Sequence, residues 1–169
     1  MDFAPTSAIQ QELLEHLRLR YPHVSYERLV SGNGLNNIYQ FLATRFPKKV
    51  SPELRAAMRD GEAAATITEF ALWRDDALAK QSVEIFVQIY GAVAGNLALT
   101  VLPRGGIFIA GGIAPKIIDS LDSSTFRMAF QQKGRMEDLL QTIPVKVITH
   151  PRAGLIGAAA VAAQLAEGR

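Results

Sequence analysis

Residues 104–116, RGGIFIAGGIAPK, place a short apolar run between two glycine pairs and set Pro115 just beyond the second pair. Ile107 to Ala110 reads as a short buried strand, Gly111 and Gly112 as the turn that ends it, and Pro115 as an early position of the next helix. Strand, turn and helix in that order form the repeating unit of an α/β fold with crossover connections. Glycine carries no Cβ, so this many in one unit imply backbone lying close to something. That something is either a ligand at the carboxyl end of the strand or a neighbouring element. Neither the GxxxxGK[ST] phosphate loop nor the GxGxxG dinucleotide fingerprint occurs, and the residues alone leave binding and packing both open.

Working outward, the segment before this unit predicts helices. Thr6, Ser7 and Gln10 have capping residues at box spacing, and Ile9, Leu13, Leu14 and Leu17 share one face of a helix that ends before Pro22. YERLV, from Tyr26, reads as a short strand. Ser31 to Gly34 form a second glycine turn, with Asn33 as cap of a helix carrying Leu35, Ile38, Tyr39 and Leu42. Ser51 and Pro52 open a further helix that Gly61 breaks, Thr66 to Trp73 forms another, and a long helix runs from Asp75 to about Val101. After the glycine unit, Asp122 to Leu140 mixes short helical pieces with a polar loop. Pro144 to Thr149 reads as a strand, and the alanine-rich segment from Gly154 to Leu165 as a closing helix. The expectation is one α/β domain over 1–169 with a small sheet of about three strands.

Composition narrows the function. With 169 residues and 49% hydrophobic content the chain supports a sizeable core. The 18 basic against 16 acidic residues give a net charge of +2, and Lys48 with Lys49 is the longest basic cluster, which argues against nucleic acid as partner. The absence of cysteine removes disulfides and thiolate chemistry and fits a reducing compartment such as the cytoplasm. Ile85 to Leu102 carries no charge and approaches the length of a membrane span. Gln88, Asn96 and Thr100 interrupt it, so the expectation is a helix buried in a core and no membrane. His16, His23 and His150 lack metal-ligand spacing, and no serine lies in a G-x-S-x-G context. No metal site and no catalytic nucleophile are expected. Among the carboxylates, Glu27 stands just before a glycine turn where a sugar hydroxyl could be held, although a lone glutamate is usually a solvated side chain.

Several stretches in order carry a resemblance: DFAP at 2–5, ERLVSGNGL and NIY between Glu27 and Tyr39, AGNLAL at 94–99, GGIFIAGGIAPK at 105–116, F-x-x-AF-x-x-KGR from Phe126 to Arg135, then IPV and GLIGAA. Together they resemble the bacterial glucokinase family, ATP-dependent hexose phosphotransferases with the two-lobed, actin-like (ribonuclease H-like) sugar-kinase fold. The resemblance implies ATP and glucose as ligands, with magnesium accompanying the nucleotide, a place in glycolysis, and a homodimer. It assigns Glu27 to the glucose site and Gly111 and Gly112 to the adenosine segment, with Ser31, Gly32 and Gly34 as further nucleotide-side residues. It also implies an absence, because the family places E-G-G-H before DFAP, where Met1 stands here. Its DxGGT-type loop, its Asn-Asp pair with the catalytic base and its second phosphate loop lie further upstream. The expectation is therefore a carboxy-terminal lobe alone, without catalytic residues and inactive by itself. The alternative is a non-catalytic sugar-binding, nucleotide-binding or dimerisation module of the same fold.

Overall fold

The computed structural model describes residues 1–168. Helix α1, Ala8–Arg18, follows Ser7, whose side chain caps nothing. The cap works differently from the expected box: the Thr6 backbone N–H and hydroxyl both donate to Gln10 Oε1, at 3.0 and 3.1 Å. Gln10 is thereby buried with its carbonyl satisfied, and its amide reaches towards Gln88 Oε1 at 3.4 Å. Helix α2 is Gly32–Arg45, α3 is Pro52–Asp60 and α4 is Ala63–Trp73. Ser51 Oγ accepts from Leu54 N at 3.2 Å, and Pro52 occupies the first turn of α3, as its sequence predicts.

The uncharged run lies inside helix α5, Ala77–Val101, which Asp76 caps by accepting from Ala79 N at 2.8 Å. This helix is long and apolar enough to cross a membrane, yet 56% of its most apolar window is buried inside the fold. It is the core helix: α2, α4 and α7 pack around it. Phe86 and Ile89 are fully enclosed, each contributing about 2 kcal/mol relative to exposure. Helix α5 ends at Leu102, which takes the left-handed conformation (φ 45°).

The rest of the chain builds the small sheet and its crossover. Strand β1, Ile107–Ile109, is followed by the 3-10 turn Ala114–Ile117 and by helices α6, Ile118–Leu121, α7, Ser124–Gln131, and α8, Glu137–Gln141. Strand β2, Val145–Val147, then pairs with β1 in parallel, Ile107 opposite Val145 and Ile109 opposite Val147. Helix α9, Ala153–Ala166, closes the described chain. Two strands, not three, are present among the described residues. The segment at Tyr26 that reads as a strand is a 3-10 turn, Tyr26–Arg28. Tyr26 and Leu29 are both buried at a spacing of three, which a tight helical turn satisfies and an alternating strand does not.

Helix α5 meets α7 with almost no side chain between them. A Cβ on Gly91 would lie 2.5 Å from Phe126 O, and one on Gly95 would lie 2.3 Å from Phe130 O. The smooth middle of α5 is a backbone-to-backbone contact. Lys133 ties the same seam by donating from Nζ to Ala92 O at 3.0 Å, and burial pushes its pKa below the usual lysine value. Tyr90, Phe126 and Phe130 continue the contact as an aromatic row with ring centroids 6.2 and 6.3 Å apart.

Candidate functional site

The turn that carries Glu27 is held from three directions. On the amino-terminal side, Phe3 N donates to Val24 O at 3.0 Å and Tyr26 N to Met1 O at 3.2 Å, with Asp2 and Ser25 forming an antiparallel bridge. Below it, the Tyr26 ring is buried edge-on against Phe3, and its hydroxyl accepts from the Asn96 amide of α5 at 3.4 Å. On the α2 side, Ser31 Oγ donates to Glu27 O at 2.8 Å and accepts from Gly34 N at 3.0 Å, so one hydroxyl fixes the turn and caps the helix. Loss of such a cap costs about 1 kcal/mol. Asn33, the expected cap, lies instead in the first turn of α2 and is exposed, because the hydroxyl two residues earlier reaches the free N–H. Asn37 Nδ2 donates to Arg28 O at 2.9 Å, completing the attachment.

This anchoring leaves the Glu27 side chain out of every interaction. It is exposed, and its carboxylate has no hydrogen-bond or ion-pair partner among the described residues. The sequence singles out Glu27 and Ser31 but not Tyr26, Asn37 and Asn96, whose ring contact and hydrogen bonds hold the turn. The spacing of Tyr26 and Leu29 was the available signal for the turn.

Gly34 has a packing reason: a Cβ there would lie 2.3 Å from the Leu29 carbonyl carbon. Gly32 faces Ala64 Cβ at an ordinary 3.6 Å. The two pairs around β1 differ from each other. Gly106 (φ +99°) presses on Pro144, whose carbonyl oxygen would be 2.4 Å from an added Cβ. Gly111 (φ +109°) needs glycine for its backbone angle, yet beyond its chain neighbours nothing among the described residues lies within 4 Å of where its Cβ would be, and the same holds for Gly112. Gly112 has neither a packing nor a conformational reason within the described residues. Both stand at the carboxyl end of β1, the end where ligands bind in open α/β sheets.

Neither group of residues lines any of three cavities among the described residues. A cavity of about 750 Å³ lies between the sheet and helices α6 to α8, walled by Ile109, Phe126, Phe130, Val145 and Val147 with Asp119, Asp122 and Arg127 among its polar groups. Ile109 is two residues from Gly111, but neither Gly111, Gly112 nor Glu27 lines this cavity. Among the described residues no three histidine or acidic side chains converge as a metal site would require.

Comparison with known proteins gives this arrangement a family. The glucokinase family model matches residues 1–165. The chain is 46% identical to a glucokinase of Synechocystis sp. over 176 aligned positions, which cover 96% of this chain and 50% of that protein. A Yersinia pestis glucokinase is 40% identical over 95% of the chain and 47% of its own length. Among solved structures, glucokinase from an Antarctic psychrotroph superposes with a TM-score of 0.79 at 32% identity, over 95% of this chain and 47% of that one. Glucokinase from Balamuthia mandrillaris, solved in complex with glucose, shares the fold at a TM-score of 0.69 and 20% identity, over 89% of this chain and 41% of that one. The chain spans about half the length of the curated relatives it matches. Its helix-rich α/β architecture, with a small parallel sheet, is the fold of the corresponding part of those kinases. With the family model running over almost its whole length, the chain belongs to the glucokinase family.

Proposed function

We propose that this chain is the carboxy-terminal lobe of a glucokinase, the enzyme that converts ATP and D-glucose to ADP and D-glucose 6-phosphate. The observation that carries the reading is the Glu27 turn: backbone and helix contacts immobilise it from three sides while its carboxylate stays unpartnered. A carboxylate accepts hydrogen bonds from sugar hydroxyls, and a backbone fixed beneath it leaves only the side-chain rotamers to be ordered when the sugar binds. The glucose held in the Balamuthia mandrillaris structure supports the same ligand. Gly111 and Gly112 form the nucleotide side, where backbone free of Cβ atoms can lie against the adenosine of ATP. Ser31, Gly32 and Gly34, at the start of α2, are the further nucleotide-side residues that the family resemblance implies. Magnesium accompanies the nucleotide as part of the co-substrate.

The roles of this lobe are binding and orientation. Removing the base that accepts the hydroxyl proton costs a factor of about 100 to 10,000. Missing donors to the transferring phosphoryl group cost about 100 to 1,000 more. Neither the base nor the phosphate loops are assigned to residues of this chain. The expected result for the chain alone, freed of contaminating kinases, is therefore no glucose 6-phosphate above background in a coupled dehydrogenase assay. Turnover that disappears on changing Gly112 would refute this assignment of roles. We also propose a homodimer in the cytoplasm; light scattering is expected to give twice the chain mass, and a monomer across a wide concentration range would count against it.

A further inference from the structure

Residues 47–59, PKKVSPELRAAMR, hold four cations and one acid, a net of +3 in a chain whose total is +2. They fold as the 3-10 turn Pro47–Lys49 followed by α3. A cavity of about 320 Å³ lies here, with Pro47, Val50, Pro52 and Ala56 as its apolar walls and Arg55 and Arg59 as its polar ones. Pro52, Arg55, Ala56 and Arg59 follow the i, i+3, i+4, i+7 spacing that puts side chains on one face of a helix. Glu53 and Asp60 sit about a quarter turn away round the same helix and line no part of the cavity. The larger cavity beside the sheet mixes Arg127 with Asp119 and Asp122, and a third, against α4 and α5, has both Lys80 and Glu84 in its wall. Of these three, the cavity at α3 is the one whose charged groups are all cationic. Its two guanidiniums are also unclaimed. Arg45 and Arg74 bind Glu12 and Glu69, whereas Arg55 and Arg59 are exposed and have no hydrogen bond or ion pair among the described residues.

We infer that this cavity is a phosphate-recognition site, taking a phosphate dianion, free or carried on a small organic body, between Arg55 and Arg59. A guanidinium presents paired N–H donors in a planar fork that matches two phosphate oxygens, and two forks one helical turn apart can share one group. A phosphate near neutral pH carries close to the two charges needed to match them, which a single carboxylate does not. Lys48 and Lys49, on the turn beside Pro47, add to the positive potential that draws an anion in. The backbone at the start of α3 is not the receptor: Ser51 Oγ already accepts from Leu54 N, and Pro52 has no N–H to offer. Both prolines fix their own φ, so the apolar walls are set before a ligand arrives. The volume is at the lower end of the range of about 300–1,000 Å³ usual for ligand pockets, which suits a sugar phosphate or a smaller anion. Neither Glu27 nor any of Ser31, Gly32, Gly34, Gly111 and Gly112 lines the cavity, so the inference does not rest on the sugar and nucleotide assignments.

Titration calorimetry of this chain at fixed ionic strength tests it, with inorganic phosphate and glucose 6-phosphate as separate probes. Binding is expected with a dissociation constant of about 1 mM or below. Tighter binding of glucose 6-phosphate assigns the cavity to a phosphorylated metabolite and equal binding to the free anion, and either upholds the site. The double change Arg55→Gln with Arg59→Gln is expected to weaken binding by about tenfold or more. Its melting curve should match that of the unaltered chain, because both side chains are exposed and unpaired. If the double variant does melt early, the two single changes are read instead, each expected to weaken binding several-fold. Arg55→Lys with Arg59→Lys keeps the charge and loses the fork, and its affinity is expected to fall between the other two. Glu27→Gln is expected to leave the binding of both probes unaltered. Absence of binding, or binding undiminished by the glutamine changes, would overturn the inference. So would a lysine pair equal to the unaltered chain, which would mean a diffuse field in place of a built site. Loss of glucose 6-phosphate binding in Glu27→Gln alone would place that probe at the sugar turn and count against the cavity.

Discussion

Replacing Gly95 by alanine lowers the thermal midpoint of this protein by roughly 6 to 12 °C. Two effects of opposite sign compete. Alanine is the better helix former by about 1 kcal/mol, which alone would stabilise α5. Its Cβ, however, would lie 2.3 Å from Phe130 O and 2.9 Å from Lys133 Cε, and the first of these is backbone in the opposing helix and cannot swing aside. Separating α5 from α7 to relieve the contact would also open the aromatic row at Tyr90, Phe126 and Phe130 and stretch the Lys133 bond to Ala92. Overpacking of this kind costs about 1–3 kcal/mol and sometimes more, and the lost contacts add to it, for a net of about 3 kcal/mol. At this chain length each kcal/mol moves the midpoint by about 2–4 °C. The control is the same change at Gly157, where nothing lies within 4 Å of the new Cβ and only the propensity gain remains. That variant is expected to melt slightly higher. Scanning calorimetry on the pair decides the matter, and equal midpoints would mean that α5 and α7 are not in backbone contact.

The second large effect is on activity. In a protein that carries the unmatched half of the Synechocystis glucokinase ahead of Met1, Glu27→Gln is expected to lower kcat/KM for glucose by roughly 10- to 100-fold, the equivalent of losing a charge-assisted hydrogen bond of about 1.5–3 kcal/mol. The melting temperature should not move, because the carboxylate is exposed and bonded to nothing among the described residues. A structural glutamate would give the reverse pattern, with stability lost and kcat/KM nearly kept. Steady-state kinetics beside a melting curve separates the two, and unchanged kcat/KM removes Glu27 from the sugar site.

Much of this architecture could be read from the chain because its signals are local. Ser51 followed by Pro52, the Asp76 cap and the spacing of Leu35, Ile38 and Leu42 each define a helix within a few residues. The uncharged run was identified as a core helix because its polar residues interrupt it. The misreadings occurred where two local patterns coincide. Tyr26 to Val30 is aromatic and aliphatic like a strand, and only its contacts with Phe3, Asn96 and Ser31, distant or on the next helix, make it a 3-10 turn. The glycines show the same limit. Gly34, Gly91, Gly95 and Gly106 are required by neighbours inside the fold and Gly112 is not, a distinction that depends on what lies opposite in space. The sugar role proposed for Glu27 comes from the resemblance and not from composition, since nothing local distinguishes one exposed glutamate from another.

The parallel pairing of β1 with β2 has a kinetic consequence. Its two strands are separated by the whole crossover of α6, α7 and α8, so pairing must wait until that loop has been closed, and with three residues in each strand the ladder gains few hydrogen bonds once it forms. The sheet is therefore expected to be the last element to assemble and the first to open. Gly111 and Gly112 sit at its end, and any ligand gripping them acts as a clasp on the slowest-forming part of the molecule, retarding its opening in proportion to occupancy.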